Sequence, residues 1–137
     1  IRHLKTKVDA GANQLVTQLF YDNSKFYTFM DKARQIGIKV PVQAGIMPVM
    51  SRRQAERVKA MSGVYMPKKF EVMLERYGDS PVALRDAGIA YAVEQIVDLL
   101  ANGVDGIHLY TMNNTYIARR VNEAVRSLVK VGSYHRM

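Results

Sequence analysis

Three groups of residues carry the chemistry this sequence offers: Thr17, Gln18 and Tyr21; Gly45, Met47 and Gln54; Tyr110, Thr111 and Asn113. Most are neutral hydrogen-bonding groups. An amide beside hydroxyls can read the donor and acceptor edges of a polar heterocycle. The sequence has no carboxylate pair placed as in a glycosidase. It has no histidine cluster at metal-ligand spacing and no serine in a nucleophile elbow. His108 lies inside an apolar run and reads as a structural imidazole rather than a catalytic one. These residues point to binding of a polar heterocycle and do not name a reaction.

Each group follows a run with the same grammar. Gly11 precedes the first run, which contains Leu15 and Val16; Gly37 precedes Ile38 to Ile46; Gly103 precedes Val104 to Tyr110. A glycine at a helix C-terminus takes the left-handed conformation at little cost. A short run rich in Val, Ile and Leu is the pattern of a buried parallel strand, and Leu15 and Val16 are expected to be buried in this way. The spacing of the three copies is unequal, so they are successive αβ units rather than a solenoid.

The helices between them follow from caps and period. Asp22 or Asn23 caps a helix from Ser24 to Ile36, with Phe26, Phe29, Met30, Ala33 and Ile36 on its apolar face. Pro41 is tolerable only near a strand start or at a bulge. Ser51 caps a helix to Met61, and Pro67 begins another, running to Arg76. Asp79 or Ser80 caps a long helix to Ala101, with Ala87, Ala90, Val93, Ile96, Val97 and Leu100 facing the core. A strand from Ile107 to Tyr110 precedes a last helix from Thr115 to Val129, with Ile117, Val121, Ala124, Val125 and Leu128 as its stripe. Residues 130–137 read as a frayed tail. Alternation of this kind means a parallel sheet in an α/β fold. Three strands fit the C-terminal portion of a (β/α)8 TIM-type barrel, with its active face at the strand ends. A small open doubly wound sheet is the alternative, although no Gly-rich phosphate fingerprint follows any strand.

The 137 residues make one domain, and 48% apolar with 23% charged residues is ordinary for a globular chain. Without cysteine there are no disulfides or thiolate sites. No run reaches the roughly 20 apolar residues of a membrane span, and a cytoplasmic location is expected. The formal charge of +8 and pI near 9.8 are spread among scattered arginines and lysines. That suits a solvated basic surface or an anionic small ligand better than nucleic acid. The chain opens at Ile1 on what reads as the last turns of a helix closed by Gly11. A fragment of a longer protein, a single partial domain over residues 1–137, is therefore expected.

Three motifs in order resemble the methylenetetrahydrofolate reductase family: Lys-Val-Asp-Ala-Gly-Ala-Asn from Lys7 with Thr17-Gln18, Pro-Val-Gln-Ala-Gly-Ile-Met-Pro from Pro41, and His-Leu-Tyr-Thr-Met-Asn from His108. The likeness covers nearly the whole chain. It implies the last three βα units of a flavoprotein barrel that reduces 5,10-methylenetetrahydrofolate to 5-methyltetrahydrofolate, with NADH or NADPH passing hydride through FAD. That is a step of one-carbon metabolism and methionine biosynthesis. The resemblance assigns Gln18, Gln54 and Tyr110 to the folate substrate, and Lys7, His3 and Thr6 to FAD. It places the catalytic acid upstream of this chain, so the chain alone is expected to be inactive and to join the rest of the barrel or itself. Departures from the family pattern stand at Asn114, where some relatives have Arg, at Val58, where some have a stacking aromatic, and at His3 and Thr6. The rival readings are a non-catalytic binding or assembly module with a basic surface for RNA, and a barrel relative acting on another pterin.

Overall fold

The computed structural model describes the backbone of residues 2–61 and 63–136, and the side chains of residues 5–61 and 63–131. Its elements run α1 (Arg2–Asp9), β1 (Leu15–Leu19), α2 (Asn23–Gln35), β2 (Val42–Ile46), α3 (Arg52–Lys59), α4 (Lys68–Tyr77), α5 (Pro81–Ala101), β3 (Gly106–Leu109) and α6 (Thr115–Arg136). The strands form one parallel sheet in the order β1-β2-β3. Parallel neighbours require crossover helices, and each helix that leads into a strand runs back against the sheet. The C-terminal ends of the strands, the N-terminus of α5 and the N-terminus of α6 therefore share one end of the molecule. This is the βα arrangement expected from the sequence.

Local chemistry sets the boundaries. The Asp22 carboxylate accepts from the Ser24 N–H at 2.9 Å, Ser51 from the Gln54 N–H at 3.1 Å, and Ser80 from the Ala83 N–H at 3.2 Å. Each satisfies a donor that the first helical turn leaves orphaned. Pro41 stands just outside β2, where its missing N–H costs nothing, and its carbonyl accepts from the Leu15 N–H at 3.0 Å. At the same end of the sheet, Asp105 accepts from the Val42 N–H and from the Arg34 guanidinium, both at 2.9 Å. Arg34 also reaches the Ile38 and Val40 carbonyls. One ion pair thus ties α2 to the starts of β2 and β3.

The core has two parts. One face of the sheet, with Val42, Ala44 and Ile46, packs on Ile89, Ala92, Ile96 and Leu99 of α5, Phe26 of α2, and Ile117, Val121 and Val125 of α6. A second cluster lies under the strand-end loops: Tyr21, Met47, Val49, Ala55, Val58, Phe70, Leu74 and Leu84. Joining them is a polar network on Gln95, a buried residue of α5. Its amide donates to the Phe20 carbonyl and to Asn23 at 3.1 Å, and Asn23 donates to the Asp98 carboxylate at 2.8 Å. Tyr27 donates to the same carboxylate at 2.6 Å.

Five expectations need correction. Ile36, expected on the apolar face of α2, is 37% exposed, because it is the C-cap residue where the helix ends. Val16 is 44% exposed, because β1 is an edge strand among the described residues and Val16 lies on the face away from the helices. The buried face of α5 is Leu84, Gly88, Ile89, Ala92, Gln95, Ile96 and Leu99; Ala90 and Val97 are exposed. In α6, Leu128 and Ala124 are exposed, and the stripe is Ile117, Val121 and Val125. The helix continues to Arg136 rather than fraying at residue 130, since a lone glycine at 132 weakens a helix by only about 1 kcal/mol and no proline stops it.

Gly88 is where α5 meets the loop after β2. A Cβ there would stand 2.0 Å from the Val49 carbonyl oxygen, and that oxygen belongs to backbone that cannot swing aside. We predict that Gly88→Ala lowers stability by about 1–3 kcal/mol through overpacking, read as a lower urea midpoint with an unchanged slope. Unaltered stability would show that α5 is free to shift. A second prediction concerns acid. The Tyr27 hydroxyl, then the Asn23 amide, hold the Asp98 carboxyl below the ordinary aspartate value of 3.8. A depressed carboxyl stabilises the fold above its unfolded value and loses that contribution as pH falls through its folded value. Asp98→Asn is therefore expected to flatten the pH dependence of melting below about pH 4 while leaving its shape near neutrality unchanged. An acid limb as steep as that of the native chain would rule this out.

Candidate functional site

The face of the sheet opposite α5 and α6 carries Val16, Gln18, Gln43, Gly45, His108 and Tyr110, because alternate residues of a strand share a face. Its centre is Gly45. The register of β1 slips between Val16 and Leu19, which lets the Thr17 hydroxyl accept from the Gly45 N–H at 2.9 Å. Tyr110, just past β3, donates its hydroxyl to the Thr17 carbonyl at 3.3 Å, crossing over β2 to do so. A Cβ on residue 45 would lie 2.6 Å from the Thr17 carbonyl oxygen and 2.9 Å from the Tyr110 ring. Glycine is thus the residue that lets three strand ends close together. The His108 ring meets Tyr110 edge to face, centroids 4.5 Å apart, and is exposed. The imidazole expected to be structural is therefore packed on one side and open to solvent.

Gln18 is exposed at this surface. Gly63, in the segment between α3 and α4, comes to it: a Cβ there would be 3.8 Å from the Gln18 Oε1. Gly63 has φ +82°, a left-handed conformation that glycine alone adopts freely. Gln18, Thr17, Lys25 and Gly63 line, with the apolar residues Leu15, Val16, Phe26, Phe29 and Val42, a cavity of about 320 Å³ along the edge of β1. Tyr65 adds an exposed ring, with the Lys25 ammonium 4.9 Å from its centroid.

Gln54 has structural duties. Its Oε1 accepts from the Met50 N–H at 2.7 Å, and its Nε2 reaches only the Met47 sulfur, at 3.7 Å. Thioether sulfur is a weak acceptor, so the amide N–H is the part of Gln54 left for a ligand. Two expected strand-end residues are withdrawn from chemistry. Tyr21 is buried, its ring 4.2 Å from Phe70, and burial raises its phenol well above the ordinary tyrosine range. Met47 is buried in the same cluster. Met112 and Asn113 form the turn after β3 with φ 53° and 66°.

The departures noted in the sequence also have places. Val58 is 3% exposed in the second core cluster, so the valine itself packs under the loops rather than facing the candidate site. Asn114 is the N-cap of α6: its Oδ1 accepts from the Ile117 N–H at 3.1 Å, and its Nδ2 lies 3.4 Å from the Met50 sulfur. Sequence reasoning missed this cap, although an Asn three residues before Ile117, ahead of a helical period, is the usual signal. Thr6 and Lys7 are exposed on α1, whose C-terminus leads into the start of β1. The Lys5 ammonium of that helix approaches Gly37, at the end of α2. The structure thus brings Gln18, Gly45 and Tyr110 together and leaves Lys7 toward the other end of the sheet. The side chain of His3 lies outside the described residues.

A family model described as methylenetetrahydrofolate reductase matches residues 1–126. The methylenetetrahydrofolate reductase (NADH) 1 of Arabidopsis thaliana is 40% identical over 113 residues, which are 82% of this chain and 19% of that protein. The methylenetetrahydrofolate reductase 1 of Schizosaccharomyces pombe is 41% identical over the same shares. The 5,10-methylenetetrahydrofolate reductase of Escherichia coli is 34% identical over 111 residues, 81% of this chain and 38% of that protein. The chain therefore spans 19% of the length of these eukaryotic relatives and 38% of the bacterial one. With a family match over most of its length, and strand-end motifs that converge on one sheet face, the chain belongs to the methylenetetrahydrofolate reductase family.

Proposed function

We propose that this chain supplies the folate-binding side of a (β/α)8 flavoprotein barrel that reduces 5,10-methylenetetrahydrofolate to 5-methyltetrahydrofolate with NADH or NADPH. The observation that carries the reading is the face built on Gly45 of β2, where Gln18 of β1 and Tyr110 at the end of β3 stand on either side of it. Catalytic groups of barrels stand at that end. The Gln18 amide offers donor and acceptor to a pterin edge, Tyr110 supplies a ring beside it, and the Gln54 N–H adds a donor from the next loop. Names among the relatives give the reductant as NADH in Arabidopsis thaliana and NADPH in Caenorhabditis elegans.

The exposed surface around Val16, Gln18 and His108 has the chemistry of a floor for a flat heteroaromatic ring, which fits a flavin as well as a pterin. FAD, when bound, carries hydride from the nicotinamide to the folate. The residues of this chain we assign to its polar part are Lys7, Thr6 and His3; the Lys7 ammonium is exposed and makes no ion pair among the described residues. In this reading the chain binds and orients, and the proton donor belongs to another part of the protein. The outer edges of β1 and β3 are unpaired among the described residues. Unpaired edges and an apolar groove of about 800 Å³ between α5, β3 and α6 are surfaces for the rest of a barrel, or for self-association of the separate chain. Among the described residues no helix is long and apolar enough to cross a membrane.

Two outcomes are expected. The 137-residue chain alone will not couple NADH oxidation to folate reduction, and steady turnover by the purified chain would refute the division of labour. In the protein carrying the upstream part of the barrel, Gln18→Ala is expected to weaken methylenetetrahydrofolate binding roughly tenfold, about 1.4 kcal/mol. Flavin reduction by the nicotinamide should be unchanged. An unaltered folate affinity would remove Gln18 from the site.

A further inference from the structure

Gln18 stands where the ladder of β1 is broken. Between the pairs Val16↔Gln43 and Leu19↔Gly45, β1 carries two residues, Thr17 and Gln18, opposite the single Ala44 of β2. An extra residue in a strand disrupts the regular pairing and re-aims a side chain. Side chains take the main-chain groups beside it. The Gly45 N–H goes to the Thr17 hydroxyl at 2.9 Å, and the Thr17 carbonyl accepts from the Tyr110 hydroxyl at 3.3 Å. Past the bulge, the Phe20 N–H reaches the Gly45 carbonyl through a long bond of 3.3 Å. The sheet therefore does not by itself set the direction of Gln18.

Two side chains of α5 hold the chain just after it. The Gln95 amide donates to the Phe20 carbonyl at 3.1 Å, and the Tyr91 hydroxyl to the Tyr21 carbonyl at 2.7 Å. Residues four apart share a helix face, so one face of α5 grips two successive peptide groups. Gln95 also exchanges hydrogen bonds with Asn23, the first residue of α2. Its Nε2 donates to the Asn23 Oδ1, and the Asn23 Nδ2 donates to the Gln95 carbonyl, both at 3.1 Å. Among the described residues Gln95 is the one buried polar side chain outside the aromatic group, and its Oε1 has no hydrogen-bond partner. Burying an amide with an acceptor unused is costly. A methionine would fill the same space without that cost. Departures of this kind from the rules of stability concentrate where geometry is held for function.

We propose that Gln95 is a positioning residue for the candidate site, and that with Tyr91 it sets where the bulged end of β1 aims the Gln18 amide. The proposal rests on the folate reading of Gln18 above and deepens it. An amide matches the edge of a heterocycle only when held within about 0.5 Å and roughly 20° of the productive geometry. Gln95 acts through the backbone, since the carbonyl it holds is two residues beyond Gln18. Its loss leaves the chemistry of Gln18 intact and shifts the frame that carries it.

The test uses the protein that carries the upstream part of the barrel, with its flavin bound. Methylenetetrahydrofolate is titrated onto the oxidised protein, flavin reduction by the nicotinamide is followed separately, and melting curves show that each variant is folded. Gln95→Met is expected to weaken folate binding about fivefold and Tyr91→Phe about threefold, with flavin reduction unchanged. In a Gln18→Ala background neither should weaken binding further by more than about twofold, because the amide whose aim they set is gone. Tyr27→Phe removes a donor from Asp98, at the far end of the same network. It should lower stability and leave folate binding unchanged. Where Gln95→Met does not fold, Tyr91→Phe, which removes a single oxygen, carries the same test. Unaltered folate binding in the folded variants overturns the proposal. So does equal weakening with and without Gln18, or a loss of flavin reduction in step with folate binding. In each of those cases the folate reading stands as long as Gln18→Ala weakens binding. If Gln18→Ala itself leaves folate affinity unaltered, the folate reading fails and the proposal falls with it.

Discussion

The absence of a side chain at residue 45 holds the functional face together. Three strands reach that point, in a parallel sheet whose neighbours lie about 4.8 Å apart and whose side chains stand off its two faces. With hydrogen in place of Cβ, the Thr17 hydroxyl can take the Gly45 N–H, and the Tyr110 ring can cross β2 to reach the Thr17 carbonyl. The slip in β1 register that makes this possible also decides which way Gln18 faces. In a strand a one-residue shift moves a side chain to the other face. The contact at Gly45 therefore fixes both the closeness of the strand ends and the exposure of the amide assigned to the ligand.

The second core cluster explains why the loops above the sheet have a defined shape. Tyr21, Phe70 and Tyr91 form an aromatic group with centroids 4.2 to 6.2 Å apart, beneath the segments that follow β1 and β2. The Tyr91 hydroxyl donates to the Tyr21 carbonyl at 2.7 Å, which pins the turn after β1 to the middle of α5. Gln95, two turns closer to the C-terminus than Gly88, holds the next carbonyl back along the chain, that of Phe20. Helix α5 thus serves as a post to which both strand-end loops are tied, and the site on those loops inherits its rigidity.

Much of this was legible in sequence. Glycines at helix ends, serine and aspartate caps and short apolar runs gave the order of elements and the parallel sheet. They act locally, so a single chain displays them. The face of α5 was misread because the helix is apolar nearly all round: Leu84, Ile89 and Leu99 point one way and Ala90, Val93 and Val97 another. A helix packed on a sheet and on flanking helices offers little periodicity to read. Gln18 and Tyr110 were placed at strand ends because they stand at or just beyond the ends of apolar runs, and that is where the structure has them. The role of Gly45 was not legible, since its meaning lies in a tyrosine sixty-five residues away. Tyr21 was misassigned for a related reason: whether a strand-end tyrosine faces ligand or core depends on Phe70, which belongs to a different helix.

Charge shows a further division that composition conceals. A total of +8 reads as scattered basic residues, yet the groups nearest Gly45 are amides, hydroxyls and rings. Thr17, Gln18 and Gln54 have no ionisable group, so their own hydrogen-bonding capacity does not vary with pH. The guanidinium groups of Arg85, Arg119 and Arg120 gather around Tyr116 on the rim, on helices rather than on strand ends. A fixed cationic rim acts over about a Debye length and raises the local concentration of an anionic ligand. The amides and hydroxyls around Gly45 offer instead donors and acceptors at fixed positions. Attraction at the rim weakens with salt, whereas hydrogen-bond matching at the floor does not, and this separates the two contributions physically within one face of one domain.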